Sequence, residues 1–325
     1  MLTPGQYVRV TQVALAALTL IVVTGAAVRL TGSGLGCPDW PRCYGRALPP
    51  LDTNALIEFG NRVVSGVVGV VAVLASALAW GRRPFRRDLA VLGLLLPLGV
   101  IGQAVLGGFT VREHLKPGFV MAHFALSMLV LAAAVALCWR AAREPSARPG
   151  RAGRDRFEVW AARALLGLGA VVIFAGTAAT AAGPHAGGKR GQTIQRLTFD
   201  GSGTLDWTIH RHGELAAALG VLAVGLLWGV RRRGAHPRMV RALTILCGLL
   251  AAQGLVGIVQ YETQLPAGLV WVHVTLATLA WLTILWVVAT AGQGAPARAR
   301  APAGLGPADP RPTPAPGSDR LRLPA

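Results

Sequence analysis

Charge is what this chain has least of. Asp, Glu, Lys and Arg make up 14% of its 325 residues, against about 25% in an ordinary soluble domain, so a water-soluble globular fold is excluded. Acidic groups are the scarcer half: 14 Asp and Glu face 32 Lys and Arg, a formal net charge of +18. Cysteine is scarce too, with four residues in all. A zinc site wants three or four ligands, often including Cys. Cys138 and Cys247 both fall inside apolar runs, where they read as core residues. That leaves Cys37 and Cys43, close together between two such runs.

What the chain has in excess is apolar sequence. Hydrophobic residues make up 53% of it, and the mean hydropathy is +0.51. Apolar runs recur at roughly 9–30, 55–80, 88–110, 117–139, 159–182, 207–230, 239–260 and 268–291, each near the ~20 residues that cross a bilayer core. Helices satisfy their own backbone groups in lipid. The expected fold is therefore an all-α integral membrane protein with eight transmembrane helices. Arg9 is the only charged residue at the start of the first run, and seven more runs follow, so it reads as an anchor and not a cleaved signal peptide.

The positive charge is not spread evenly. Arg82, Arg83, Arg86 and Arg87 fill one connection, six arginines fill 140–158, Arg231, Arg232, Arg233 and Arg238 fill another, and five lie in 292–325. The alternate connections are poor in it: 261–267 has no Lys or Arg, and 111–116 has two. This positive-inside pattern predicts a multi-pass protein of the cell (plasma) membrane with both termini cytoplasmic. It also accounts for the net charge as a topology signal and contact with the lipid bilayer, so no nucleic-acid partner is expected.

One stretch occurs twice. Gln103 to His123 reads QAVLGGFTVREHLKPGFVMAH, and Gln253 to His273 reads QGLVGIVQYETQLPAGLVWVH, at an offset of 150 residues. Gln103/Gln253, Gly107/Gly257, Leu115/Leu265, Gly118/Gly268, Val120/Val270 and His123/His273 are identical pairs. The repeat divides the chain into an N-terminal half, 1–140, and a C-terminal half, 157–291, each of four spans. An even number of spans gives both halves one orientation, so the helices are expected as two parallel-repeat four-helix bundles. Residues 141–156 read as an Arg-rich cytoplasmic linker and 292–325 as a disordered cytoplasmic tail. Two long loops, about 31–54 and 183–206, lie outside; their glycines suggest close turns packed over a ligand.

Polar residues recur at one depth in these halves. Glu58 and Asn61, His123, His210 and His273 each lie near the outer end of an even-numbered span, and ionisable groups there are costly and usually functional. His210 and His273 at a shared depth could face each other across the bundle and ligate heme iron axially; the bland alternative is hydrogen bonding to neighbouring helices. Taking Asn61-Arg62 as the counterpart of His210-Arg211 leaves His123 without a histidine partner. Glu58, one turn before Asn61, gives that half the look of a reactive site, and a Glu58–Arg62 ion pair is a compatible role. Arg62 and Arg211 could pair with heme propionates, and His185 could touch a heme edge from its loop. His212, two residues from His210, is expected to point elsewhere on the helix. Cys37 and Cys43 read either as a structural disulfide on the oxidising side or as a redox pair.

At these residues the chain resembles the heme A synthase family. The matching stretches are TGSGLGCPDWPRC, IEFGNR, LGGFTVREHLKP with MAH following, GPHAG, IHR and the second VWVH. They occur in family order across all eight spans. The resemblance implies oxidation of the ring methyl of heme O to a formyl group, giving heme A for cytochrome oxidase, by successive hydroxylation and loss of water. It implies heme b as cofactor between His210 and His273, substrate heme at His123, Glu58 as the catalytic carboxylate, and a role for Cys37 and Cys43 in electron transfer or heme handling. Partners implied are a heme O synthase and cytochrome oxidase assembly factors. Many members carry histidine where Asn61 stands. The alternative reading is a membrane b-type cytochrome passing electrons between quinone and a partner.

Overall fold

The apolar runs fold as single helices because lipid leaves their backbone groups few partners but each other, and the ends are set by local chemistry. A computed structural model describes residues 2–143, 155–189, 191–199 and 203–292. Its helices are α1 (Pro4–Leu30), α2 (Thr53–Gly81), α3 (Arg87–Arg112), α4 (Pro117–Ala141), α5 (Arg156–Ala182), α6 (Thr204–Arg232), α7 (Pro237–Glu262) and α8 (Ala267–Thr290). All eight are long and apolar enough to cross a membrane: at about 1.5 Å per residue they exceed the ~30 Å hydrocarbon core. Several begin before their apolar run. Thr3 and Gln6 form a capping box ahead of Pro4, and the Asp52 carboxylate accepts from the Ala55 N–H, satisfying donors that a helix start leaves free. Residues 144–154, most of the expected linker, and 293–325, nearly all of the expected tail, lie outside the described residues.

The helices close into two rings. α1 touches α2, α2 touches α3, α3 touches α4 and α4 returns to α1; α5 to α8 repeat the cycle. Within each ring the even-numbered helices are diagonal neighbours. The rings meet through α1 and α4 on one side and α5 and α8 on the other. Trp271 donates its indole N–H to the Val23 carbonyl at 3.0 Å, and Trp281 donates to Met128 at 3.0 Å. Both bonds cross between the rings.

The duplication extends to backbone conformation. His114 and Leu115 are left-handed, at φ 53° and 60°, and so are Gln264 and Leu265, at 63° and 60°. None of these is glycine, and each such residue costs about 1 kcal/mol. The cost is offset in both copies by the same closure: Leu115 N–H donates to Thr110 and Leu265 N–H donates to Gln260.

The repeat offset is not constant. Buried pairs Leu89/Met239, Leu96/Leu246, Leu131/Trp281 and Leu137/Val287 keep the offset of 150. On α2 and α6 the buried stripe runs Val68/Leu219, Ala72/Ala223, Ala75/Leu226 and Ala79/Val230, an offset of 151. The extra residue sits in the connection from α2 to α3, which has three residues between its caps Arg82 and Arg86 where the α6 to α7 connection has two between Arg233 and His236.

Candidate functional site

With the offset of 151 the counterpart of Asn61 is His212. Each is the ninth residue of its helix, and His123 and His273 are each the seventh of theirs. All four therefore lie within about 12 Å of a helix start, on diagonal helices of the two rings.

In the second half the structure pairs His212 with His273. Their ring centroids are 6.1 Å apart at 67°. This departs from the expected His210–His273 pair. His210 is exposed, its Nδ1 donates to the Asp206 carbonyl at 2.7 Å, and its ring stands 6.3 Å from Tyr261. The reason is helical phase. Two residues turn a helix by about 200°, so depth alone could not choose between His210 and His212, and pairing Asn61 with His210 set the halves two positions out of the register of the buried stripe.

The setting of the two rings suits metal ligation. His212 Nδ1 donates to the Val172 carbonyl at 3.0 Å, which fixes the tautomer and leaves Nε2 as the free lone pair. With a metal–nitrogen bond of about 2 Å and a ring radius of about 1.2 Å, two imidazoles on opposite sides of one ion stand about 6 Å centroid to centroid. A Cβ at Gly176 would lie 2.9 Å from His212 Cε1, and one at Gly257 would lie 3.3 Å from His273 Cε1, so each imidazole packs closely on a glycine. The described residues contain no group of three or more His, Cys, Asp or Glu that could hold a metal. Two axial donors suffice when a macrocycle supplies the rest, as in heme.

The first half repeats half of this site. A Cβ at Gly107 would lie 3.3 Å from His123 Cε1, the contact seen at Gly257. Gln103 donates to the His123 carbonyl at 3.1 Å and to Ser127 at 2.7 Å. Buried polar atoms without a hydrogen-bond partner include His123 Nδ1, Asn61 Oδ1 and Gln103 Oε1 here, and His273 Nδ1, Gln253 Oε1 and Gln260 Oε1 in the other half. Each such atom costs about 1–3 kcal/mol. Five of these six lie on the helix pairs α3–α4 and α7–α8 that carry the repeat.

Glu58 is buried beside the outer loop. Its Oε2 accepts from the Cys37 N–H at 2.8 Å, and its Oε1 from Arg62 Nη2 at 2.5 Å. Arg62 also donates to the carbonyls of Asp39 at 3.1 Å and Arg42 at 2.9 Å. The ion pair expected from the i,i+4 spacing is therefore present, and it clamps the loop. Cys37 and Cys43 form a disulfide packed on Ala55 and Phe59. Trp40 within that loop lies on α3: a Cβ at Gly108 would come within 3.0 Å of its ring. The diglycine at 107–108 thus admits the imidazole with one residue and the loop indole with the next. The second half has Gly257 followed by Ile258.

Arg62 donates to Glu58 and loop carbonyls, and Arg211 pairs with Glu214 at 2.7 Å on the exposed side of α6. His185 Nε2 donates to the Leu265 carbonyl at 2.7 Å, tying the second outer loop to the repeat turn. Some glycines of the two outer loops pack against each other. Gly34 N–H donates to Gly187 at 2.8 Å, and a Cβ at Gly32 would fall 2.7 Å from the Gly188 carbonyl oxygen.

A family model described as cytochrome oxidase assembly protein matches residues 9–285. The chain is similar to proteins named heme A synthase. That of Alkalihalophilus pseudofirmus is 32% identical over 120 residues, 36% of this chain and 40% of that protein. That of Halalkalibacterium halodurans is 31% identical over 122 residues, 37% and 41% of the two, and that of Lysinibacillus sphaericus 34% over 122, 37% and 40%. The chain aligns with about two fifths of the length of these relatives. Because the family match runs through all eight helices and both histidine sites, the chain belongs to the cytochrome oxidase assembly protein family.

Proposed function

We propose that this protein is a heme A synthase that oxidises the ring methyl of heme O to a formyl group in its N-terminal half and holds a resident heme b in its C-terminal half. The observation that carries the reading is the inequality of the two sites: His273 faces His212 at 6.1 Å, whereas the counterpart of His212 in the other half is Asn61. Two neutral imidazoles suit a closed, low-spin heme. One imidazole opposite an amide suits a heme that arrives, reacts and leaves. Relatives named heme A synthase support the same assignment.

Each residue then has a task. His212 and His273 hold heme b, which when bound supplies one-electron relay chemistry. His123 orients the substrate macrocycle, and Asn61 leaves its other face without an imidazole. Glu58 and Arg62 keep the Cys37–Cys43 loop over the bundle mouth, with a buried carboxylate held beside it by two charge-assisted bonds. The parallel orientation of the halves, the plasma membrane, the cytoplasmic placing of both termini and of the Arg-rich connections, and partnership with a heme O synthase and cytochrome oxidase assembly factors belong to this proposal.

The test is co-expression with a heme O source and extraction of total heme. Heme A forms with the native chain, and its yield falls by at least about 100-fold, nearly 3 kcal/mol, in His123→Ala and Glu58→Ala. A b-type spectrum with no heme conversion would instead fit an electron-transfer cytochrome.

A further inference from the structure

A cavity of about 580 Å³ lies beside the seam of α3 and α4, within the ~300–1,000 Å³ of small-molecule sites. Its wall is apolar where Leu106, Phe119 and Ala122 line it, and cationic where Lys116 and Arg196 do. Leu106 precedes the glycine that seats the His123 ring, and Ala122 precedes His123 itself, so the cavity is level with the first-half site. Leu197 adds a wall from the second outer loop, whose N–H is anchored to the Ala181 carbonyl at 3.0 Å. One half of the protein therefore contributes a wall to the other half's site.

The two cations differ in how they are held. Lys116 pairs with Glu113 at 2.6 Å, and both side chains are more than a third exposed, so an incoming carboxylate can compete for the ammonium. Arg196 has no hydrogen-bond or ion-pair partner among the described residues. A ligand matching this wall has an apolar body and a carboxylate-bearing edge. A heme is such a molecule, with two propionates on one edge and apolar substituents opposite.

We propose that this cavity is the entry vestibule for the substrate heme, with Arg196 and Lys116 receiving the propionate edge while the apolar edge lies along α3 and α4. The proposal rests on the reading that the first half binds heme O at His123. Arg196 and Lys116 act in capture and positioning and do not touch the reacting methyl.

The experiment is stopped-flow binding of heme O to the full-length chain, carrying its resident heme, in phosphatidylcholine nanodiscs. Arg196→Glu reverses the charge at the rim, and Ala122→Trp fills the apolar floor. Both lower the association rate constant by about tenfold or more and leave the resident-heme spectrum, which reports folding, unchanged. If the native chain binds heme O and His123→Ala does not, yet both vestibule variants associate at the native rate, the vestibule is refuted while the site stands. Loss of co-purified phospholipid in Arg196→Glu with native heme O binding also refutes it, because the occupant is then a lipid. If the native chain binds no heme O, the functional reading fails and the vestibule falls with it.

Discussion

His210 and His212 show how a two-residue choice decides a chemical role. Both are polar, both lie near the mouth of α6, and only the helical phase separates a ring facing Tyr261 from a ring facing His273. Once the buried stripe of α6 is aligned with that of α2, the phase is fixed and His212 takes the place of Asn61. The glycine beside the ring can be tested separately. Gly176→Ala would place a carbon 2.9 Å from His212 Cε1, and overpacking of this kind costs about 1–3 kcal/mol. Heme b retention on dilution should fall by about tenfold or more. Gly213→Ala is the control, because nothing lies within 4 Å of the position its Cβ would take. A measurement giving equal retention in the two variants would remove steric seating from the account. The candidate residues were mostly legible as types at a depth: Glu58, Asn61, His123 and His273 were marked by being polar where polarity is costly. Their partners were not legible, because which carbonyl or carboxylate a side chain meets depends on loops from elsewhere in the chain.

The helices were legible as elements because apolar length is a strong signal and lipid allows few alternatives. Their polar ends, as at Thr53 of α2 behind the Asp52 cap, were set by capping and so fell outside the apolar runs. The outer loops were the least legible elements. Their glycines signalled close approach but not to what, and for Gly32 and Gly34 the neighbours are Gly188 and Gly187 of the other loop. A further tie joins them: Lys189 Nζ lies 2.8 Å from Asp52 Oδ1. The hydrogen bond from Lys189 is the main cause holding the Asp52 carboxyl below its usual range, with the Ala55 N–H adding to it. A carboxyl whose folded pKa is depressed stabilises the fold above its unfolded pKa and loses that contribution as pH falls through the folded value. Amide protection of residues 183–189 should therefore hold from neutral pH down to about 4, the ordinary Asp value, and decline only below it. In Asp52→Asn the decline should be absent and protection lower throughout. Hydrogen exchange across that range checks both.

At the scale of the whole molecule the chain is one bundle design used twice and then made unequal. The turns at 114–115 and 264–265, the glycines at 107 and 257 and the histidines at 123 and 273 keep the shared plan. The departures are Asn61 against His212, Glu58 with its disulfide loop against a half without one, and a connection one residue longer after α2; the first two carry the proposed division of chemistry. The most direct measurement is the heme content, by type, of purified protein made alongside a heme O source. The account predicts heme b and heme A in the native chain and in His210→Ala. It predicts loss of heme b in His212→Ala, and retention of heme b without heme A in His123→Ala. Absence of heme A from the native chain, or heme b kept by His212→Ala and lost by His210→Ala, would contradict it.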